Sequence, residues 1–428
     1  MTDPEQKDGA ALTRRDLLLG AAVAGGAALV GLPAVARSQA QALAPVVPPL
    51  VPPQVPIPED ATKLLGAPTS PVGTRSRFVT ASRTPTGEVT GTSFTPLQDL
   101  TGTITPSDLH FERHHAGIPL LDPARHTLTV HGMVERPMSF TVEDLRRFPQ
   151  VTRVYFVECS GNGRGAYRDP KPDLTPQKIA GMTSNSEWTG VRLADIMKEA
   201  GARSEAQWFL AEGGDACLLA RSIPMPKAYD DALVVWAQNG EPLRPEQGYP
   251  MRLLLPGYEG NANVKWLRRL EVGMRPWMTR WETAKYTDPL PGGIARQFSF
   301  EMDAKSVITS PCAPRTITKG WNPISGLAWS GRGRIAKVEV STDNGKNWHE
   351  AELQGPSLPK AHVRFAYMWE WKGREQVLLS RATDETGYVQ PTRAKLIEVR
   401  GKGTDYHFNP IYGWRVAADG AITFHGDS

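Results

Sequence analysis

A cysteine at a strand end is the feature of this chain that most directly suggests chemistry. Cys159 follows a predicted strand and opens a run of small residues within segment 158–164, whose sequence is ECSGNGR. A thiol in this setting is accessible enough to bind a metal or attack a substrate. The guanidinium of Arg164 is expected to lower the thiol pKa and to favour the thiolate. Taken alone, the segment is equally compatible with a buried structural cysteine.

The elements that position Cys159 belong to a region of mixed strands and helices. Strand-like runs lie at 127–130 and 152–157. They alternate with short helices, one capped by Thr141 and another ending at Gly201. The pattern predicts one α+β domain over residues 94–304.

From residue 305 the pattern changes to regular strands. Residues 337–341 alternate apolar and charged side chains, a turn follows at 343–345, and a second strand begins at Trp348. This spacing predicts a β-sandwich over residues 305–402. Aromatic side chains recur at every second position within it, and they form either the sandwich core or a contact between two chains: Phe365, Tyr367, Trp369 and Trp371.

The beginning of the chain carries targeting and linker signals. Paired arginines at 14–15 precede a weakly apolar stretch over 17–30. This pattern is typical of a twin-arginine export signal, with a basic membrane anchor as the alternative. We expect a signal peptide over residues 1–40 and a Pro-rich linker or N-terminal arm over residues 41–93. Because this export route carries folded proteins, it also favours a prosthetic group and a periplasmic location.

Length and charge limit the classes of protein. A chain of 428 residues suggests two domains. The final segment, residues 403–428, is expected to be a C-terminal arm that lies on a partner or packs at a domain edge. The 49 basic and 45 acidic residues are well mixed, which gives no reason to infer nucleic-acid binding. Of the three cysteines, Cys217 and Cys312 are either bridged or free.

Five motifs, in order, resemble the sulfite oxidase family of molybdenum enzymes. The motifs are FERHH at 111–115, ECSGN at 158–162, NGEPL leading into GYPMR at 239–252, VKWL at 264–267, and AWSGRGR at 328–334. The second motif resembles the family segment that carries the molybdenum thiolate. The resemblance implies an α+β fold with a molybdopterin-binding catalytic domain followed by an immunoglobulin-like dimerisation domain.

The resemblance also implies roles for individual residues. Cys159 would bind the molybdenum of a molybdopterin cofactor as a soft sulfur ligand. Arg252 and Lys265 would bind the cofactor phosphate, and Asp215 would accept hydrogen bonds from the pterin. The predicted cofactor-binding set is His114, His115, Asp215, Gln247, Arg252, Asn263 and Lys265. The predicted cationic pocket for an oxyanion substrate is Arg113, Arg164 and Arg334.

The chain departs from the family pattern at three of these positions. His114 stands where the family has an asparagine, and Gln247 stands where a cofactor-contacting histidine is common. Trp236 stands where sulfite oxidases have an active-site tyrosine, and we place it with the three arginines as a catalytic residue. The loss of a phenol there removes a hydrogen-bond donor and makes free sulfite a doubtful substrate.

These departures most resemble the family members that oxidise sulfane sulfur. The resemblance implies a molybdenum dehydrogenase that oxidises a cysteine persulfide on a sulfur-carrier protein during thiosulfate oxidation. The sequence contains no haem-binding Cys-x-x-Cys-His motif, so the chain is expected to hold no haem and to pass electrons to a dihaem c-type cytochrome subunit. The implied assembly is a homodimer of this chain within a heterotetramer.

Three alternatives stay open. A sulfite dehydrogenase that uses a c-type cytochrome would explain the same motifs, and Trp236 argues against it. A molybdenum methionine-sulfoxide reductase would usually lack the second domain. A non-catalytic electron-transfer or assembly subunit is disfavoured because Cys159 and the arginine set are both present.

Overall fold

The computed structural model describes residues 57–427 of the chain, and within them it has 23 strands and seven α-helices. The predicted export signal and part of the Pro-rich segment lie outside the described residues. Residues 57–79 form a unit of their own, in which the Asp60 carboxylate accepts a hydrogen bond from the Thr62 amide. No helix within residues 57–427 is long and apolar enough to cross a membrane.

The helices are short. The α-helices are α1 (Val142–Leu145), α2 (Arg164–Arg168), α3 (Pro176–Ala180), α4 (Leu193–Ala200), α5 (Met225–Asp230), α6 (Arg280–Thr283) and α7 (Arg393–Arg400). The 3-10 helices are Ala61–Lys63, Leu97–Asp99, Ser107–Leu109, Pro245–Gln247 and Gly260–Ala262.

Thirteen strands lie between residues 57 and 280. They are β1 (Thr84–Pro85), β2 (Thr92–Phe94), β3 (Glu112–Arg113), β4 (Leu128–Gly132), β5 (Met138–Phe140), β6 (Gln150–Glu158), β7 (Thr183–Arg192), β8 (Trp208–Gly213), β9 (Ala220–Pro224), β10 (Leu233–Gln238), β11 (Glu241–Pro242), β12 (Arg252–Leu254) and β13 (Leu267–Gly273). The strands β1 to β3 form a small sheet. One five-stranded sheet has the order β11-β10-β7-β6 with β12 beside β10, and the other has the order β5-β4-β13-β8-β9.

Ten strands follow. They are β14 (Asp288–Leu290), β15 (Ile294–Arg296), β16 (Lys305–Ser310), β17 (Gly320–Trp329), β18 (Ile335–Ser341), β19 (His349–Gln354), β20 (Val363–Trp371), β21 (Gln376–Asp384), β22 (Gly413–Val416) and β23 (Ile422–His425). After the hairpin of β14 and β15, the other eight form one sheet in the order β16-β17-β20-β19-β18-β21-β22-β23. This sheet curls around a single hydrophobic core.

Local sequence signals in the first domain are confirmed. The Thr141 hydroxyl accepts a hydrogen bond from the Asp144 amide, and the Asp144 carboxylate accepts one from the Thr141 amide, which caps α1 at both groups. Helix α4 ends at Gly201, whose φ of 66° lies in the left-handed region that glycine tolerates. The predicted α+β fold class is confirmed for this region.

The second domain has the predicted sandwich architecture. Strands β18 and β19 pair across the predicted turn, with Val340 opposite His349. The side chains of Phe365, Trp369 and Trp371 are buried in the sandwich core, which favours the first of the two roles considered for this face. Strand β22 pairs with β21, and β23 pairs with β22 at the sheet edge, so this part of segment 403–428 packs at a domain edge within the chain.

Candidate active site

Two adjoining spaces meet at Cys159. The inner cavity is lined by His110, Phe111, Arg113, His114, His115, Val157, Cys159, Asp215, Leu219, Gln247, Arg252, Gly260, Asn261, Asn263, Lys265, Trp266 and Tyr286. The outer cleft is lined by Thr86, Glu88, Thr90, Gly91, Thr92, Arg113, His115, Cys159, Gly161, Arg164, Met182, Cys217, Arg280, Trp281, Lys285, Tyr286 and Tyr406. Cys159 therefore faces a cavity that could hold a cofactor and a cleft that could admit a substrate.

The position of Cys159 is fixed by the end of β6 and a tight turn. The Cys159 amide donates to the Met182 carbonyl at 3.0 Å, and the Cys159 carbonyl accepts from the Asn162 amide at 2.9 Å. Gly260 packs against this turn so closely that a Cβ atom there would lie 3.2 Å from the Cys159 Cα and 2.9 Å from the Glu158 carbonyl oxygen. A side chain at 260 would therefore displace the cysteine.

Burial has the largest effect on the pKa of the Cys159 thiol. It raises the pKa of Cys159, although the Gly161 amide, Arg113 and Arg164 each act to lower it. The sequence prediction that Arg164 leaves this thiol with a lowered pKa is wrong in its net direction, because the sulfur is buried. A metal cation at the sulfur would stabilise the thiolate that burial disfavours.

Buried Arg252 and half-buried Lys265 are cationic side chains that line the inner cavity. The Arg252 guanidinium donates to the carbonyls of Gln247 at 3.1 Å and Asn263 at 3.0 Å, and Lys265 Nζ donates to the Arg113 carbonyl at 3.2 Å. Burial lowers the pKa of Arg252 to about 9. Burial, followed by the charge of Arg252, lowers the pKa of Lys265 to about 7. An anionic group such as a phosphate would offset the cost of burying both charges.

Three buried polar atoms of the inner cavity lack a hydrogen-bond partner among the described residues: His110 Nε2, Arg252 Nε and Asn261 Oδ1. His110 Nδ1 lies 3.0 Å from the Phe111 carbonyl oxygen, which can only accept, so Nδ1 carries the proton. Because burial lowers the pKa of His110 to about 3, the ring is neutral and Nε2 is an acceptor. Arg252 Nε can therefore donate to an anionic group of a ligand, and His110 Nε2 and Asn261 Oδ1 can accept from its N–H groups. A pterin that carries a phosphate has groups of both kinds.

Two predicted cofactor-binding residues line this cavity with their side chains already engaged. Asn263 Oδ1 accepts from the Leu255 amide at 2.7 Å, and its Nδ2 donates to two backbone carbonyls. Gln247 Nε2 donates to the Phe111 carbonyl at 2.9 Å. Both amides therefore shape the cavity wall and leave little hydrogen-bonding capacity for a ligand.

Two further predicted residues, His114 and Asp215, form hydrogen bonds with neighbouring side chains. His114 Nδ1 accepts from Lys265 Nζ at 2.9 Å, and His114 Nε2 lies 2.9 Å from the Glu112 carboxylate, so this imidazole orients the lysine. Asp215 is buried and accepts a hydrogen bond from the Cys217 thiol at 2.9 Å. Its remaining lone pairs can accept from a ligand in the cavity.

The outer cleft is cationic. Arg113, Arg164, Arg280 and Lys285 line it together with the carboxylate of Glu88. Arg164 is held by the Asp405 carbonyl, to which its Nε and Nη2 donate at 3.1 and 2.7 Å. Arg280 and Lys285 were not predicted from the sequence, because helix α6, which begins at Arg280, has only 4 residues and is too short to give a periodic pattern. The structure thus brings two of the three predicted arginines to the cleft and adds two cations.

A phenol that the sequence analysis missed lies beside Cys159. The Tyr286 hydroxyl shares a hydrogen bond of 2.7 Å with Nε2 of His115, and both residues line the inner cavity and the outer cleft. The predicted absence of a phenol from the site is therefore wrong. Tyr286 comes from a segment of the chain remote from Trp236, and no local pattern signals its position.

Trp236 does not take the place expected for it. Adjacent residues of β10 point to opposite faces of the strand, and Val235 packs in the cluster that contains Cys159. Trp236 instead shares a separate hydrophobic cluster with Val234 and Met251. The assignment of Trp236 as a catalytic residue is corrected to a core role.

Arg334 is the second correction. Its side chain is 56% exposed and its Nε donates to the Glu385 carboxylate at 2.8 Å. It ends the loop that leads into β18, on the solvent side, where an ion pair with Glu385 is available. Arg334 therefore does not line the cavity or the cleft.

The three cysteines are free thiols in the structure. Cys217 lines the outer cleft, and Cys312 is buried in the sandwich core. Of the two possibilities left by the sequence, the structure has the unbridged one.

Comparisons with known proteins identify the two domains of this chain. A family model described as an oxidoreductase molybdopterin binding domain matches residues 115–281, and one described as a Mo-co oxidoreductase dimerisation domain matches residues 296–412. The sulfane dehydrogenase SoxCD from Paracoccus pantotrophus has a solved chain that is 45% identical, with a TM-score of 0.82, and the match covers 85% of this chain and 96% of that chain.

Curated relatives give the same family. The mitochondrial sulfite oxidase of Rattus norvegicus is 32% identical over 327 residues, which are 70% of this chain and 59% of that protein. The present chain thus spans less than two thirds of the length of the rat enzyme. The sulfite oxidase of Gallus gallus is 30% identical over 313 residues, which are 67% of this chain and 68% of that protein. With both family models matched in order, this chain belongs to the sulfite oxidase family of molybdenum-cofactor oxidoreductases.

Proposed function

We propose that this chain is the molybdenum-binding subunit of a sulfur dehydrogenase that oxidises the sulfane sulfur of a cysteine persulfide on a carrier protein, as part of thiosulfate oxidation. The proposal is based on one observation: the cationic outer cleft and the inner cavity are both lined by Cys159. The 45% identity to a sulfane dehydrogenase supports the substrate class.

The inner cavity would hold the molybdopterin cofactor. Cys159 would supply a sulfur ligand to the metal, and Arg252 and Lys265 would bind the phosphate. His110 Nε2 and Asn261 Oδ1 would accept from N–H groups of the pterin. When bound, the cofactor supplies a two-electron redox centre at which oxygen from water is transferred to sulfur.

The arginines of the outer cleft would hold the reacting end of the substrate. A persulfide and its oxidised products are anions, and Arg113 and Arg164 line the outer cleft together with Cys159. Arg280 and Lys285 extend the positive charge along the cleft. Cations arranged in this way attract an anion and orient it toward the sulfur of Cys159.

Tyr286 and His115 would hold a proton close to the reacting atoms. Burial raises the pKa of Tyr286 well above its ordinary value. Burial, followed by the charge of Arg113, lowers the pKa of His115 to about 3. Both groups are therefore neutral, and the hydrogen bond between them can hold a proton at the cleft without adding charge.

The proposal includes the partners and the compartment. Electrons would pass to a dihaem c-type cytochrome subunit. Two copies of this chain would pair within a heterotetramer, and the matched dimerisation domain supports this pairing. The arginine pair at 14–15 supports export to the periplasm by the twin-arginine route.

A second candidate function is sulfite dehydrogenation with a c-type cytochrome as acceptor. The argument against it was the loss of a phenol at the site. Tyr286 supplies a phenol to both spaces, and this observation favours the second candidate.

The decisive experiment compares substrates with the metal-loaded chain and its cytochrome subunit. Reduction of the cytochrome, followed by absorbance, is measured with a persulfidated carrier protein and, separately, with free sulfite. We expect reduction with the persulfide and none in a Cys159→Ser protein. Turnover with sulfite alone would establish the second candidate, and equal activity in Cys159→Ser would contradict the role of the thiolate in both.

A further inference from the structure

The residue before Cys159 is a buried carboxylate whose partners come largely from the second domain. Glu158 is 0% exposed. Its Oε1 accepts from Lys305 Nζ at 2.5 Å, and its Oε2 accepts from the Trp329 indole N–H at 2.7 Å. Lys305 begins β16 and Trp329 ends β17, so both partners belong to the sandwich.

The same carboxylate also fixes the turn that carries the thiol. Asn162 Nδ2 donates to Glu158 Oε1 at 2.9 Å, and the Asn162 backbone amide donates to the Cys159 carbonyl at 2.9 Å. Asn162 Oδ1 accepts from the Met182 amide at 3.0 Å. Each end of the turn is therefore tied to the Glu158 carboxylate or to the strand beside it.

The burial of both charges stabilises the ion pair between Glu158 and Lys305. Lys305 is 5% exposed, so neither member of the ion pair can turn to solvent to replace the other. A buried charge that loses its partner is strongly unfavourable, so the pair remains formed whenever the two domains are packed together. The position of Glu158 therefore follows the position of β16 and β17.

We propose that Glu158 is a positioning residue that transmits the placement of the sandwich strands to Cys159. In this arrangement Lys305 and Trp329 set the orientation of the sulfur toward the inner cavity, although neither residue lines it. The proposal rests on Cys159 as the metal ligand of the proposed function, but it is independent of which sulfur compound is oxidised.

The motif at 328–334 contributes to the site through Trp329 and not through Arg334. The motif was expected to bring Arg334 to the substrate, and that side chain instead forms an exposed ion pair with Glu385. Trp329, five residues earlier, reaches the segment that carries the thiol. The contribution of this motif to the site is thus the support of Cys159.

The test uses the metal-loaded chain and three substitutions. Lys305→Met leaves a buried carboxylate without its cation, and Trp329→Phe removes one hydrogen bond while it keeps an aromatic ring. Glu158→Gln combined with Lys305→Met removes both charges together. Loss of groups that orient a metal ligand typically costs about 10- to 100-fold in activity or metal affinity. We expect a fall of this size in kcat for Lys305→Met, a smaller one for Trp329→Phe, and partial recovery in the double variant.

Metal spectroscopy separates positioning from general loss of stability. We expect Lys305→Met and Trp329→Phe to shift the metal–sulfur distance in X-ray absorption and the paramagnetic resonance spectrum of the reduced metal. Lys227→Met is the matched control, because Lys227 is also 5% exposed and its partners, Pro256 and Asp231, lie outside segment 158–164. It should lower the thermal stability and leave both spectra unchanged.

Two outcomes would overturn the proposal. One is an unchanged metal spectrum and kcat in metal-loaded Trp329→Phe and in the double variant. The other is a Lys227→Met spectrum altered as much as that of Lys305→Met. If Lys305→Met does not fold, Trp329→Phe and the double variant still decide. Because the spectra need no substrate, these results are separate from a failure of the persulfide assay.

Discussion

The inner cavity and the outer cleft share Cys159 but hold their charges differently. In the inner cavity Arg252 is 3% exposed and is fixed by backbone carbonyls, and Lys265 is held in the same way. In the outer cleft the Arg164 side chain is 43% exposed and Lys285 is exposed to solvent. Buried, pre-positioned donors suit a ligand that stays bound, whereas exposed cations suit an anion that must arrive and leave.

Because the charges are held differently, we expect cofactor retention and substrate affinity to respond to separate sets of residues. Charges in the inner cavity are poorly screened by solvent, so each substitution there acts strongly. Charges in the outer cleft are screened by water and salt, so substitutions there act more weakly. The substitutions below test this separation.

The largest effect is expected for Arg252→Met. This change removes a buried cation of the inner cavity and its Nε donor, which has no hydrogen-bond partner among residues 57–427. A hydrogen bond to a charged group contributes about 1.5–3 kcal/mol, so cofactor retention should fall by about 10- to 100-fold. The measurement is molybdenum and released pterin per chain after dialysis. An unchanged cofactor content would contradict the assignment of the inner cavity.

The next effect is expected for Arg164→Gln in the outer cleft. We expect KM for the anionic substrate to rise by about tenfold, since one charge-assisted contact is lost, while the metal content stays the same. Arg168→Gln is the matched control, because Arg168 also donates to backbone carbonyls of segment 403–405 but does not line the cleft. Equal changes in KM for the two variants would show that Arg164 only anchors that segment.

A smaller effect is expected for Tyr286→Phe at the junction of the two spaces. The ring stays, and the hydroxyl that contacts His115 is lost. Deletion of one neutral hydrogen bond costs about 0.5–1.5 kcal/mol, so we expect kcat to fall by about two- to tenfold with cofactor content unchanged. A loss of cofactor in this variant would place the phenol with the inner cavity instead.

The smallest effect is expected for Arg334→Ala. Exposed ion pairs contribute about 0–1 kcal/mol, so neither cofactor content, nor KM, nor kcat should change measurably. Steady-state kinetics beside Arg164→Gln provides the comparison. A rise in KM as large as that of Arg164→Gln would restore Arg334 to the substrate site.

Several features of the fold were predictable because their causes are local. The reciprocal hydrogen bonds of Thr141 and Asp144 begin α1, and the left-handed glycine at 201 ends α4. The alternation over 337–341 and the turn after it produce the hairpin of β18 and β19. The strand that ends at Glu158, directly before Cys159, was predictable in the same way.

The order of the motifs, the family that they resemble and the thiol at a strand end follow from the amino-acid sequence alone. Which side chains surround that thiol depends on how the whole chain folds. Tyr286 reaches His115 across 171 positions of sequence, and Trp329 reaches Glu158 across the same number. Trp236 and Arg334 matched the family by position, yet they face a core and the solvent. The physical reason is that caps, turns and periodicity act within a few residues, whereas the direction of a side chain toward a site depends on how distant segments pack together.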